Sequence, residues 1–242
     1  MASGEYSPLF PFVQNFKKNG IILLDYSICK NAYAETTKKG RTYFTPDGDF
    51  SSVTTILGAT ANNQWLEAWK QKVGEEEAAR ISKLATDRGE LVHEYLERYW
   101  NGDDVFPTLS KETSDVVKMT TNLINATVKN VTDVRAQEIA LWNSQLGYAG
   151  RVDMVAEWRG VLSVIDFKTS KKKKYKRDVT DYYIQCAAYA EAHNLMFGTN
   201  IEKLVILITT ETGIVQGFYG NRVHYLPELK YRVNQFRRLH GK

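Results

Sequence analysis

Between residues 75 and 100 apolar side chains return at intervals of three and four: Ile81, Leu84, Leu91, Val92, Tyr95, Leu96 and Tyr99. That is the period of an α-helix, and it predicts a helix pair or one long helix, preceded by a helical segment over 64–72 and ended by "NGDDVFP". Residues 110–130 read as helical again. The pattern then changes to short apolar runs rich in β-branched and aromatic residues, "AQEIALW", "YAGRVDMVAEW" and "GVLSVIDFKT", which predict three strands in close succession. A lysine-rich loop follows, then a helix from about Tyr182 to Phe197, a hairpin "KLVILITTETGIVQGFYG" and a last helix through "LPELKYRVNQFRRL". Ahead of all this, residues 1–50 suggest short, irregular β elements, with "IILLDY" and "RTYFT" as strand candidates and "PDGD" as a turn. "SSVTTILGAT" has serines and threonines placed to cap a short helix. The order predicts an α/β domain with a mixed central β-sheet flanked by helices. One domain over 1–242 is expected: a β or irregular region over 1–63, a helical region over 64–130 and a core over 131–242.

Composition narrows the picture. At 242 residues, 43% hydrophobic and 12% aromatic, the chain can bury a sizeable core, and a folded globule rather than a disordered chain is expected. The formal net charge is only +4, so affinity for a polyanion must come from local clustering. Cys29 and Cys186 are the only cysteines, too few for a zinc ribbon, a disulfide framework or a four-cysteine iron–sulfur cluster, and a reducing, cytoplasmic compartment is expected. The start, "MASGEYSPLFPFVQNFKK", lacks the basic start and unbroken apolar core of a signal peptide, and no apolar run nears about 20 residues, so no membrane association is expected.

Two aspartates interrupt the apolar runs of "GRVDMVAEWRGVLSVIDFKTS", residues 150–170. If Arg159-Gly160 is a two-residue hairpin turn, Trp158 pairs with Val161, and counting outward sets Asp153 opposite Asp166. Side chains facing each other across an antiparallel pair have Cβ atoms about 4.5–5.5 Å apart, so the carboxylates converge. Like charges so placed call for a cation between them. Lys168 is two residues beyond Asp166 and falls on the same face. Arg-Gly is not the commonest tight turn, and a one-residue bulge would break this register. A carboxylate pair that binds a divalent ion beside a lysine suits phosphodiester hydrolysis. Taken alone, an Asp-x-Lys triplet is as readily an exposed, salt-bridged hairpin.

More than that triplet is present. "GRVD", "IDFKTS" and "QCAAY" (Gln185–Tyr189), in this order, resemble the PD-(D/E)XK nuclease superfamily and its RecB-like branch, whose pattern is G-x-x-D, D-x-K, Q-x-x-x-Y. "RGELVHEYLE" (Arg88–Glu97) is similar to the R-G-x-x-x-H-x-x-x-E helix of that branch, and "SSVTTILGAT" with "VGEEEAA" resembles phage exonucleases and mitochondrial genome-maintenance exonucleases. The resemblance spans roughly residues 50–195. It implies a restriction-endonuclease-like core with a helical wall or arch, Mg²⁺ or Mn²⁺ as cofactor and no iron–sulfur cluster. It implies His93, Asp153, Asp166 and the main-chain carbonyl of Phe167 as metal ligands, Lys168 as the catalytic lysine, and Gln185 and Tyr189 against the active site and the substrate strand. Glu138 matches a carboxylate that often precedes the G-x-x-D strand, as a second-metal or water-binding ligand.

Lys171, Lys172, Lys173, Lys174, Lys176 and Arg177 put six positive charges into seven residues just after Ser170. Placed beside a metal site, they suit sequence-independent contact with phosphates, and Tyr175, Tyr182 and Tyr183, interleaved with and following them, offer rings on which a base can stack. Arg88 is either a further phosphate contact or a structural ion pair. The expectation is a metal-dependent DNA exonuclease preferring single-stranded ends, acting in recombination, repair or genome processing alongside recombination or replication proteins. A structure-specific endonuclease and a non-catalytic nucleic-acid-binding module remain the alternatives.

Overall fold

The computed structural model describes residues 24–241. The expected strand "IILLDY" falls partly outside them, and residues 24–26 are not extended into a strand: Tyr26 turns inward, its hydroxyl 2.9 Å from Nε2 of His193 and its ring against Phe197, and a 3₁₀ turn over Ser27–Asn31 follows. β1 (Tyr33–Thr37), β2 (Gly40–Thr45) and β3 (Gly48–Ser51) form a small antiparallel sheet. Thr45 pairs with Gly48, so Pro46 and Asp47 are the connecting turn, as "PDGD" suggests. The Ser52 hydroxyl then accepts from the Thr55 amide and caps α1 (Val53–Thr60).

Gly74, at φ +87, separates α2 (Gln64–Val73) from α3 (Glu75–Trp100), a single helix of 26 residues. α4 (Phe106–Leu109) and α5 (Ser114–Val128) complete the helical region. The apolar period of α3 is buried only in part. Val92, Tyr95 and Leu96 enter the core, whereas Ile81 and Leu84 are exposed, and α2 buries none of its residues. Apart from Ala78, which is buried, the first half of α3 and α2 thus form an arm outside the core.

The main sheet comprises β4 (Val131–Asn143), β5 (Tyr148–Trp158), β6 (Val161–Ser170), β7 (Lys203–Thr210) and β8 (Val215–Asn221), in that spatial order. β6 and β7 are parallel, joined through α6 (Thr180–Phe197), and every other pair is antiparallel, giving the expected mixed sheet. Met154, Trp158, Ile165, Phe167, Val205 and Leu207 turn one face toward α3 and α5. Val155, Val164, Leu204, Ile206 and Ile208 turn the other toward α6. The domain is three layers deep, with helices on both faces of the sheet. α7 (Arg222–Leu239) starts earlier than expected and runs through Pro227; Asn221 caps it by accepting from the Val223 amide, and Tyr225 in its first turn stacks on Tyr183. Among the described residues no helix is long and apolar enough to cross a membrane.

A candidate metal centre where three strands meet α3

β5 and β6 pair in the register counted from the turn, Trp158 with Val161 through Met154 with Ile165. Arg159 and Gly160 have φ of +53° and +75°, the left-handed pair of a type I′ turn, whose twist suits a two-residue hairpin. Asp153 and Asp166 are the next pair outward. There the strands stop bonding main chain to main chain, and the Phe167 amide donates instead to Oδ2 of Asp153 at 2.7 Å.

The partner on the other side of Asp153 is Glu138. β4 is shifted once between Thr132 and Val134 and again between Val134 and Ala136, beyond which Gln137 pairs with Met154 and Ile139 with Val152. Two single shifts restore the alternation of sides and place Glu138 opposite Asp153. Glu138 has φ +49°, a conformation that costs a non-glycine residue on the order of 1 kcal/mol and is retained where surroundings enforce it. Glu138, Asp153 and Asp166 therefore form a row across β4, β5 and β6.

α3 lies along β6. A Cβ on Gly89 would come within 3.3 Å of the Thr169 hydroxyl, so this glycine permits the approach, and His93, one turn on, meets Phe167. Nε2 of His93 donates to the Phe167 carbonyl at 2.9 Å, since a carbonyl can only accept. Nδ1 then faces Oδ2 of Asp153 at 3.7 Å and Oε1 of Glu138 at 3.8 Å. A lone pair directed at two carboxylates is unfavourable, so Nδ1 must carry a proton or meet a cation. Burial alone would depress the imidazole pKa, but Asp153 and Glu138 outweigh it and push it up to about 9. The Phe167 carbonyl, expected as a metal ligand, is engaged here by the imidazole, the kind of outer bond that fixes a ligating histidine's tautomer.

The ligand atoms of His93, Glu138 and Asp153 all lie within 4.8 Å of one another. Asp166, weighed above as a first ligand, is fully buried beside them and held by Lys168, whose Nζ is 2.6 Å from Oδ2; Oδ1 has no hydrogen-bond partner among the described residues. Burial pushes the Asp166 pKa up, against the pull of Lys168. Burial would lower Lys168, but Asp166 and then Asp153 hold its ammonium charged. One cation serves two acids, so it is strongly held while each acid is under-compensated. Three carboxylates, one of them with an orphaned buried oxygen, and an imidazole nitrogen fit a hard divalent cation such as Mg²⁺ or Mn²⁺. The Tyr182 ring lies 5.4 Å from the Lys168 ammonium and bounds its position from α6, a contact no motif signalled.

Gln185 and Tyr189 also face this region from α6, and the Gln185 amide donates to the Tyr189 hydroxyl at 3.0 Å. Tyr189 is 3% exposed and packs on Gly150, so it has no free face for a base, and the expectation that it contacts DNA is corrected to a buried packing role. Arg88 is corrected likewise: its guanidinium is taken up by Glu211 at 2.6 Å and Asp115 at 3.3 Å, tying α3 to α5 and to the β7–β8 turn. These are ion pairs of the kind the structural alternative describes, with partners distant in sequence.

The lysine loop leaves the same end of β6. The Ser170 hydroxyl donates to the Lys172 carbonyl, and Gln216 on β8 clamps the loop by accepting from the Lys174 amide and donating to the Lys174 carbonyl. Among the described residues Lys171, Lys172, Lys173, Lys174 and Lys176 have no ion-pair partner, and Arg177 has only Asp178 at 3.7 Å. Tyr175 is 67% exposed, with Arg177 over its ring.

No family model matches the chain. Among characterised proteins it is similar to mitochondrial genome maintenance exonuclease 1 of Xenopus tropicalis, 35% identical over 175 residues that cover 66% of this chain and 49% of that protein. The protein of the same name from Homo sapiens is 31% identical over 173 residues, covering 67% and 49%. A solved structure from Eubacterium rectale, provisionally named an exonuclease, superposes with a TM-score of 0.42 at 14% identity over 62% of this chain and 66% of that one. The chain spans about half the length of the curated relatives it matches. It is thus a sequence relative of proteins that carry an exonuclease name.

Proposed function

We propose that this chain is a Mg²⁺- or Mn²⁺-dependent nuclease of the PD-(D/E)XK, RecB-like type that hydrolyses phosphodiester bonds of DNA, working from single-stranded ends. The observation that carries this reading is the row of Glu138, Asp153 and Asp166, closed by His93 on one side and Lys168 on the other. His93, Glu138 and Asp153 would hold the ion, with Asp166 joining through its unpartnered oxygen. Bound there, the ion supplies Lewis-acid polarisation of the phosphoryl oxygen and a lowered pKa for its water. Lys168, held between Asp166 and Tyr182, is placed to orient the attacking water and to offset developing negative charge. Gln185 and Tyr189 support this arrangement from α6.

The loop from Ser170 to Arg177 supplies unpaired cations and an exposed Tyr175 for a strand of any sequence. The arm of α2 and α3 supports a preference for ends, as a wall limiting entry to an unpaired strand. A role in recombination, repair or genome processing, with proteins of those pathways as partners, accords with the relatives' names. The test uses end-labelled linear and circular single strands with Mg²⁺, with Mn²⁺ and with EDTA. Metal-dependent loss of the linear strand alone is expected. Equal cleavage of the circle would replace the exonuclease with an endonuclease, and no cleavage under any condition would refute the enzyme.

A further inference from the structure

We infer that Arg151 is a phosphate-contacting residue of this site, receiving the strand's backbone beside the candidate metal centre. The inference rests on the nuclease reading and adds to it a contact that none of the motifs carries. Arg151 precedes Asp153 by two residues on β5, so both side chains leave the same face of the sheet. Its Nε is 2.8 Å from Oε2 of Glu138, whose other oxygen, Oε1, faces His93. Glu138 thus lies between the guanidinium and the position open to a cation.

Burial separates the two partners. The Glu138 side chain is 13% exposed and that of Arg151 is 58% exposed, and Glu138 is the only ion-pair partner of Arg151 among the described residues. A guanidinium serving only to neutralise a buried acid gains most from a desolvated, two-pronged contact. This one approaches closest through its inner nitrogen, and its outer end remains in solvent. A divalent ion held by Glu138 would also stand close to that positive group, a like-charge approach that costs Coulomb energy unless an anion joins the two. A phosphodiester does so, with one non-bridging oxygen toward the ion and the other accepting from the guanidinium, much as the two oxygens of Glu138 are directed now. Arg151 also opposes the rise in pKa that burial and Glu138 impose on Glu97, which places its charge at the rim where α3 and β4 meet.

The test is the salt dependence of binding, which needs no turnover. The full chain carrying Asp166→Asn, in Mg²⁺ so that the strand stays intact, is titrated with a fluorescent oligothymidylate at several salt concentrations. One lost phosphate contact on a single strand makes the slope of log K against log salt shallower by about 0.7. Adding Arg151→Ala should do this, Arg151→Lys should restore the slope, and Arg151→Gln, which keeps a donor for Glu138, should behave as alanine does and guards against a misfolded alanine variant. If the parent binds with a salt-dependent slope and both neutral variants leave it unchanged, Arg151 merely neutralises Glu138 and this inference falls while the nuclease reading stands. Absence of salt-dependent binding by the parent would overturn both.

Discussion

Gly150→Ala sets a methyl group against the Tyr189 ring. A Cβ at this position would stand 2.5 Å from Cε1, 3.2 Å from the hydroxyl and 3.3 Å from Cζ of Tyr189, where ordinary contact begins near 3.4 Å. The ring would have to withdraw by roughly 1 Å, because side chains cannot interpenetrate in a close-packed interior. It has nowhere to go: Tyr189 is 3% exposed, its neighbours Ala188 and Ala190 are wholly buried, and its hydroxyl is bonded to Gln185. Overpacking of this kind costs about 1–3 kcal/mol. At about 2–4 °C per kcal/mol for a chain of this size, the melting midpoint should fall by roughly 4–8 °C for a cost of 2 kcal/mol. Circular dichroism melts of Gly150→Ala, Tyr189→Leu and the double variant test it, since leucine has no atom at the Cε1 position. The glycine substitution should cost at least about 1 kcal/mol less in the leucine background. Equal costs in both backgrounds, or a Gly150→Ala melt indistinguishable from the parent, would refute the steric account of this glycine.

Asp153→Ala, Asp166→Ala and Lys168→Ala should each lower turnover by at least about 10²-fold while oligonucleotide binding persists; near-normal turnover of Lys168→Ala would remove that residue from the chemistry. Arg88→Ala leaves Asp115 and Glu211 without their shared cation and should cost about 2 kcal/mol in denaturant unfolding with no change in the salt slope of DNA binding; a changed slope at unchanged stability would restore it as a phosphate contact. His193, buried between Tyr26 and Thr199, has its pKa lowered by burial to about 4 from an ordinary 6.5. The unfolded chain takes up this proton below about pH 6.5 while the folded chain resists until about 4, so stability is full above that window and falls by up to about 3 kcal/mol as pH drops through it. His193→Gln should flatten the decline, and an unchanged pH profile of the unfolding midpoint would show that this group does not drive it.

The hairpin at the heart of the site was legible from residues alone. Strand alternation is a strict two-residue period, and a two-residue turn at Arg159-Gly160 sets the register, so Asp153, Asp166 and Lys168 follow by counting. His93 was legible only through its helix motif, because nothing in a helical period says which strand a helix will lie against. Glu138 was harder still. The pairing at the start of β4, continued without interruption, would set Glu138 opposite Arg151, and the two shifts around Val134 move it opposite Asp153. No glycine or proline marks those shifts in "VTDVRAQEIALWN"; Asp133, at the first of them, and Glu138 adopt positive φ without being glycine.

Three groups expected at the site are already engaged within the fold, for one reason. Tyr189 has the spacing of a substrate contact but is buried, the Phe167 carbonyl accepts from His93, and Arg88 is consumed by Asp115 and Glu211. Each residue type suits the role expected of it, and each is committed by partners 27 to 123 positions away, as Arg88 with Asp115 and with Glu211 illustrates. Local periodicity and turn chemistry therefore determined the elements, the mixed sheet between helices and the convergence of two aspartates with a lysine, since these depend on neighbours a few residues apart. Which carboxylate completes the set, which side chains are already spent on one another and which arginine is left open to solvent depend on packing between distant elements, and only the tertiary structure decided them.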